Sequence, residues 1–292
     1  MEKKRFSMFW GDLGILTVAF IWGATNVVIR DALSGITPFW FCALRFLFAY
    51  LTVMLLFGKR AFRLPNKMRI AGTAIGMVFI CAYLVGAVAL LYTTAGNQSF
   101  IISMSVVFVP LSVWFMTKKF PGWHIVISVL LCTAGMAGLM LDSSFSINMG
   151  DALCFASMLF VAAYILLVQK FVQDVDPYAL ACWQALGGMM LALACALIFE
   201  PFPANIPKAA WIAILYAATL GFAFTLVLQN IAQKYTTATH AAILLSTSSL
   251  FGSGLGVIFL GEPMTLRIFI ASALILAGVI IAEAVPATKN RV

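Results

Sequence analysis

Arg45 is the one charge set well inside an apolar stretch of this 292-residue chain, and a guanidinium placed there has two chemistries open to it. It can hold a carboxylate in bidentate fashion, which would select amino acids or organic acids. Or its stem snorkels, so that the head reaches the outer interface or ties helices together through backbone carbonyls. Trp22 and Asn26 stand four residues apart and share a helical face, where Trp22 reads as a pocket wall or as an interfacial belt residue. Tyr83 and Tyr164 suit the wall of a pocket for apolar or aromatic solutes, with plain packing as the other reading. Thr225, Gln229 and Gln233 form a polar stripe with Asn230 beside it. Amides at that depth must face protein or water, as interhelical hydrogen bonds or as a hydrophilic path. Asn97 with Gln98, and His240 at the repeat-equivalent place, fall at helix starts, whose free N–H groups and positive partial charge suit an anion. For His240 the competing role is capping or packing.

Other chemistries lack their residues. Asp12, Asp31, Asp142, Asp151, Asp174, Asp176, Glu200, Glu262 and Glu283 all read as helix ends or loops, so no proton-exchanging carboxylate of the kind used by exporters of lipophilic cations stands at mid-membrane. Asp12 and Asp151 are expected to cap helix starts. A membrane-embedded enzyme needs paired carboxylates, a metal cluster or a nucleophile with its base. The two histidines, His124 and His240, lie in different halves of the chain, and neither a metal nor a cofactor is expected. The six cysteines all lie in apolar stretches and read as small hydrophobes.

The elements that position these residues follow from composition. The chain is 63% hydrophobic and 10% charged, far from the roughly 25% charged residues of a soluble domain, so the bilayer is its solvent. Apolar runs span 11–29, 38–57, 70–91, 96–116, 123–141, 151–171, 178–199, 209–231, 241–260 and 266–284. Each is close to the roughly 20 residues that cross the hydrocarbon as a helix. The reading is an all-α integral membrane protein of ten transmembrane helices. With the N-terminus inside, 14 of the 18 lysines and arginines fall on the inner side, only Arg30, Lys208 and Arg267 on the outer, and Arg45 within a span. That bias places both termini in the cytoplasm. It also accounts for most of the net charge of +8, which short loops cannot turn into a nucleic-acid surface. Glycines at small-xxx-small spacing, such as Gly72 and Gly76, should let helices approach closely. Pro110 should kink the fourth run.

The chain also repeats. Residues 11–58 align on 150–197, matching Gly11-Asp12 to Gly150-Asp151 and Pro38 to Pro177. Residues 92–141 align on 235–284 with 12 identities in 50, carrying Tyr92-Thr93-Thr94-Ala95 onto Tyr235-Thr236-Thr237-Ala238. The expected units are 1–145 and 146–292. Five helices per unit is odd, so the second enters the membrane from the opposite side. Inverted repeats are the architecture of alternating-access carriers, with the site between the halves.

These residues resemble those of the drug/metabolite transporter superfamily, in its ten-helix EamA type. The resemblance rests on Trp22-Gly23, Pro38, Leu44-Arg45-Phe46, YTTAGNQSFIISMSVVFVP (92–110), AQKYTTATHAAILLS (232–246) and Leu260-Gly261-Glu262, and it covers about the whole chain. It implies a carrier of small solutes, often an exporter of amino acids or other metabolites, with a cavity lined mainly by the first, third, fourth, sixth, eighth and ninth helices. The expectation is therefore a cell-membrane transporter of small metabolites, most plainly amino acids or related carboxylates, acting as monomer or homodimer in the bilayer with no nucleic-acid partner. The coupling ion is left open. Export of drugs or lipophilic cations is the alternative within the superfamily; a channel or an embedded enzyme is the alternative outside it.

Overall fold

The computed structural model describes residues 2–29, 36–89, 91–93, 95–140, 149–203, 205–260 and 265–284. Among these every regular element is a helix. They are α1 (Glu2–Ile29), α2 (Pro38–Ala61), α3 (Asn66–Ala89), α4 (Ala95–Ser103), α5 (Ser105–Thr117), α6 (Trp123–Met140), α7 (Met149–Phe171) and α8 (Pro177–Phe199). Then come α9 (Lys208–Ala218), a π-helical segment (Thr219–Phe224), α10 (Thr225–Gln233), α11 (Ala238–Leu260) and α12 (Leu266–Ala284). The ends carry ordinary stop and start chemistry. Pro38 and Pro177 open α2 and α8, where a missing N–H costs nothing, and Asp176 accepts the Tyr178 N–H at 3.0 Å. Lys118 in the left-handed region closes α5, and Gly122, with φ of +97°, turns the chain into α6.

The apolar runs therefore became helices, with three differences. α1 reaches back to Glu2, so Asp12 lies inside a helix and not at its start. The fourth run breaks at Met104, while α5 continues through Pro110. The eighth run widens into the π segment before resuming as α10. Eight helices are long and apolar enough to cross a bilayer, and Trp123–Leu139 and Leu266–Ala282 are shorter apolar helices. Their outward faces are greasy: Leu55, Trp123, Ile198 and Phe259 are all largely exposed, as lipid contact requires.

Repeat mates meet each other across the bundle. α2 packs antiparallel on α8: Phe39 meets Phe199 at one end, Phe57 meets Tyr178 at the other, and Cys182 donates to the Val53 carbonyl between them. α6 packs antiparallel on α12, where Cys132 donates to the carbonyl of Ile275, its own repeat mate. Gly135 lies against Ala271, and Gly278, its mate, against Ser128, the mate of Ala271. α1 packs on α10 and α11, and α7 correspondingly on α3, α4 and α5. All six cysteines are free thiols.

Two hydrogen bonds fix this exchange. Thr93 in the turn after α3 donates to Asp151 at 2.7 Å, and Thr236 in the turn after α10 donates to Asp12. Both carboxylates are buried. The glycine before each lets the turn approach: a Cβ on Gly150 would strike Thr93, and one on Gly11 the Ala232 carbonyl. Asp151 stands in the first turn of α7, as a capping acid would, and both acids bind the turn of the opposite repeat.

Candidate functional site

A cluster of aromatic rings forms where α1, α2, α3, α7 and the π segment converge. Phe79 is its hub. Four residues before Tyr83 on the same face of α3, it stacks on Tyr164 of α7 at 4.1 Å, on Phe222 of the π segment at 5.6 Å and on Trp22 of α1 at 6.3 Å. It meets Tyr83 edge-on at 5.2 Å. Phe46 of α2 closes the cluster against Phe222 at 4.2 Å. Trp22 also donates its indole N–H to Thr225 Oγ1 at 3.1 Å, so it bridges α1 and α10.

Arg45 sits against this cluster and is buried within the bundle. It is only 5% exposed, and its guanidinium carbon lies 5.2 Å from the Tyr83 ring and 5.7 Å from the Phe222 ring. Its Nε has no hydrogen-bond partner, and among the described residues no carboxylate comes within ion-pair distance. Glu200, the acid at this end of α2, uses both oxygens on the free N–H groups of Phe39 and Trp40. Removing a cation from water costs several kcal/mol, and desolvated cation–π contacts return about 2 kcal/mol. The rings offer no acceptor to the buried Nε–H. An anion beside it would complete the balance with charge-assisted hydrogen bonds.

Below the rings lies a column of amides. Tyr164 donates to Gln229 Oε1 at 3.5 Å, and Asn230 donates to Gln184 Oε1 at 2.7 Å. Gln184 is the repeat mate of Arg45, so the position that bears a cation in one half bears an amide in the other. Gln233 follows Gln229 by one turn, and neither of its amide atoms has a partner. Gln184 Nε2, Gln229 Nε2 and Asn230 Oδ1 are likewise unmatched, in residues at most 1% exposed. Such groups are normally satisfied by water or ligand, so the column is a hydrophilic strip inside the bundle.

The structure thus brings Trp22, Arg45, Tyr83, Tyr164 and Gln229 into one connected cluster, with Gln233 one turn beyond Gln229 on α10. Asn26 and Asn97 sit on α1 and α4, but their side chains lie outside the described residues. His240, 1% exposed near the start of α11, donates its backbone N–H to the Thr237 hydroxyl at 3.2 Å. Among the described residues no three metal-ligating side chains come together. Sequence reasoning missed Phe46, Phe79 and Phe222. Phe79 had a signal in its spacing from Tyr83; Phe222 had none, because the π segment that aims it is not written in the apolar periodicity.

Comparison with known proteins agrees with this architecture. A protein of known crystal structure superposes with a TM-score of 0.81 over 93% of this chain and 96% of its own, at 17% identity, and so shares the fold. A protein of Archaeoglobus fulgidus described as an uncharacterized transporter is 32% identical over 272 residues, covering 93% of this chain and 85% of the relative. The model of the EamA-like transporter family matches twice, over residues 9–141 and 148–283. The chain belongs to the EamA-like transporter family, whose members move small molecules across membranes.

Proposed function

We propose that this protein is a secondary carrier of small carboxylates, amino acids or their relatives, exporting them from the cell by alternating access. The observation that carries the reading is Arg45: a buried guanidinium resting against two rings without a carboxylate partner among the described residues. A substrate carboxylate is the partner this geometry favours. Trp22, Tyr83 and Tyr164 wall the site, Asn26 and Asn97 belong to it by their helix positions, and Gln229, Gln233 and His240 line the way on. The antiparallel contact of repeat mates supports ten spans in two inverted five-helix units, 1–145 and 146–292. The lysine and arginine bias supports cytoplasmic termini.

Counterflow in proteoliposomes against amino acids, organic acids, sugars and lipophilic cations tests the reading. Carboxylates should exchange, and Arg45→Ala should lower their apparent affinity at least tenfold, with Arg45→Lys intermediate because an ammonium keeps the charge but loses the bidentate fork. Unchanged carboxylate affinity in Arg45→Ala, or a preference for lipophilic cations, overturns it.

A further inference from the structure

Between Lys59 and Arg69 the chain carries five basic residues, Lys59, Arg60, Arg63, Lys67 and Arg69, with no acid among them. Arg69 is folded back onto the turn before it. Its Nε donates to the Leu64 carbonyl at 2.7 Å, a second N–H goes to the Phe62 carbonyl, and its guanidinium lies 5.5 Å from the Trp183 ring. Trp183 in turn donates to the Ala61 carbonyl at 3.1 Å, so α2, α3 and α8 are pinned together at this corner. Lys59, Arg63 and Lys67 remain exposed. Facing them from the turn between α7 and α8 are Asp174 and Asp176. The latter is 3.7 Å from Arg60 and also caps α8, which leaves the corner clearly cationic.

From this corner a groove of about 440 Å3 runs along α3. Asn66 and Arg69 form its polar end, and Ile70, Ala74, Met77 and Trp183 its apolar length. Thr73 also borders it, but its hydroxyl is tied back to the Arg69 carbonyl. The stretch from Asn66 to Met77 rises about 16 Å, roughly half the hydrocarbon thickness and so one leaflet. A polar cleft of about 470 Å3 adjoins in sequence, where Arg60, Arg63, Leu64 and Pro65 face Asp174, Val175 and Asp176, so Lys67 and the outward side of Arg63 are the cations left for a headgroup. The groove's volume is within the roughly 300–1,000 Å3 of ligand sites.

We propose that this corner is a binding site for one anionic glycerophospholipid, its phosphate held by Arg63 and Lys67 beside the polar end and an acyl chain lying in the groove. A cation cluster flanking a membrane helix attracts anionic headgroups in any case. The groove turns that diffuse attraction into a site, because only an amphipathic molecule fills both the charged end and the apolar length. The site is independent of the carried solute, and its occupant would brace the contact of α3 with α8 behind the ring cluster.

Delipidated protein in detergent is titrated with phosphatidylglycerol, with phosphatidylcholine of the same acyl chains, and with glycerol phosphate. Bound lipid per chain is counted by native mass spectrometry. One phosphatidylglycerol should be retained in preference to phosphatidylcholine. The double variant Arg63→Gln, Lys67→Gln should bind it roughly 25-fold more weakly and lose the preference, at about fivefold per cation. Ala74→Trp, at an exposed position, should abolish retention of both lipids with every charge in place; Ala74→Leu serves the same purpose if the tryptophan lowers the unfolding temperature of lipid-free protein. Equal retention of the two lipids, unchanged binding in the Ala74 variants, or full competition by glycerol phosphate overturns the proposal.

Discussion

Thr93 donates to Asp151 across the two halves of the chain at 2.7 Å, and the repeat mates of both residues, Thr236 and Asp12, make the same bond at the other exchange point. Each bond joins a turn of one repeat to a helix of the other. A hydrogen bond to a charged group contributes about 1.5–3 kcal/mol. Thr93→Val should therefore lower the thermal unfolding midpoint of the purified protein, and Thr236→Val should lower it by a similar amount. A shift in only one of the two would show that the clasps are not equivalent.

The contact of α3 with α8 depends on glycine. A methyl on Gly76 would overlap the Gln184 carbonyl, and one on Gly187 the Thr73 carbonyl, both backbone atoms that cannot rotate away. Gly76→Ala and Gly187→Ala should force the helices apart, with loss of several kcal/mol and of folded yield. Gly254→Ala meets nothing within 4 Å and should match the unaltered protein. Size-exclusion profiles and unfolding curves of the three variants separate the cases.

Phe79 organises the ring cluster without a polar atom of its own. Truncating a buried phenylalanine to alanine typically costs 3–5 kcal/mol. Phe79→Leu should cost less and leave a folded protein whose tyrosine and tryptophan walls are no longer held. Its counterflow signal should fall in affinity more than in folded yield. Intact affinity in a folded Phe79→Leu protein would remove the ring cluster from the site.

Glu200 caps a helix it does not belong to, accepting the Phe39 and Trp40 N–H groups of α2. Loss of a cap costs about 0.5–2 kcal/mol. Glu200→Ala should destabilise by that order, and Glu200→Gln by less because an amide oxygen still accepts. Identical unfolding midpoints for both would mean that water replaces the carboxylate.

Much of this was readable in advance. Apolar runs of about 20 residues located the helices, because a backbone in lipid must satisfy its hydrogen bonds internally. The Gly11-Asp12 and Gly150-Asp151 pairs and the Tyr-Thr-Thr turns were visible as repeats. What they do was not, since a repeat shows equivalence and not contact: each Gly-Asp pair docks on the Tyr-Thr turn of the other half. Arg45 stood out as a rare charge, but its burial against Tyr83 and Phe222 did not. The break at Met104 and the π segment left no trace in periodicity, because both change only which way the next turn faces.

The amino-acid sequence by itself determined the solvent, the helices, the internal repeat and the short roster of polar residues at membrane depth. Those are properties of local composition and of spacing along one chain. Only the tertiary structure decided that Arg45 rests against Tyr83 and Phe222, that Phe79 joins four rings and that Asp12 and Asp151 clasp opposite halves. Those relations join residues from different helices. They depend on how closely glycine faces let the backbones approach and how a single widened turn aims its side chains.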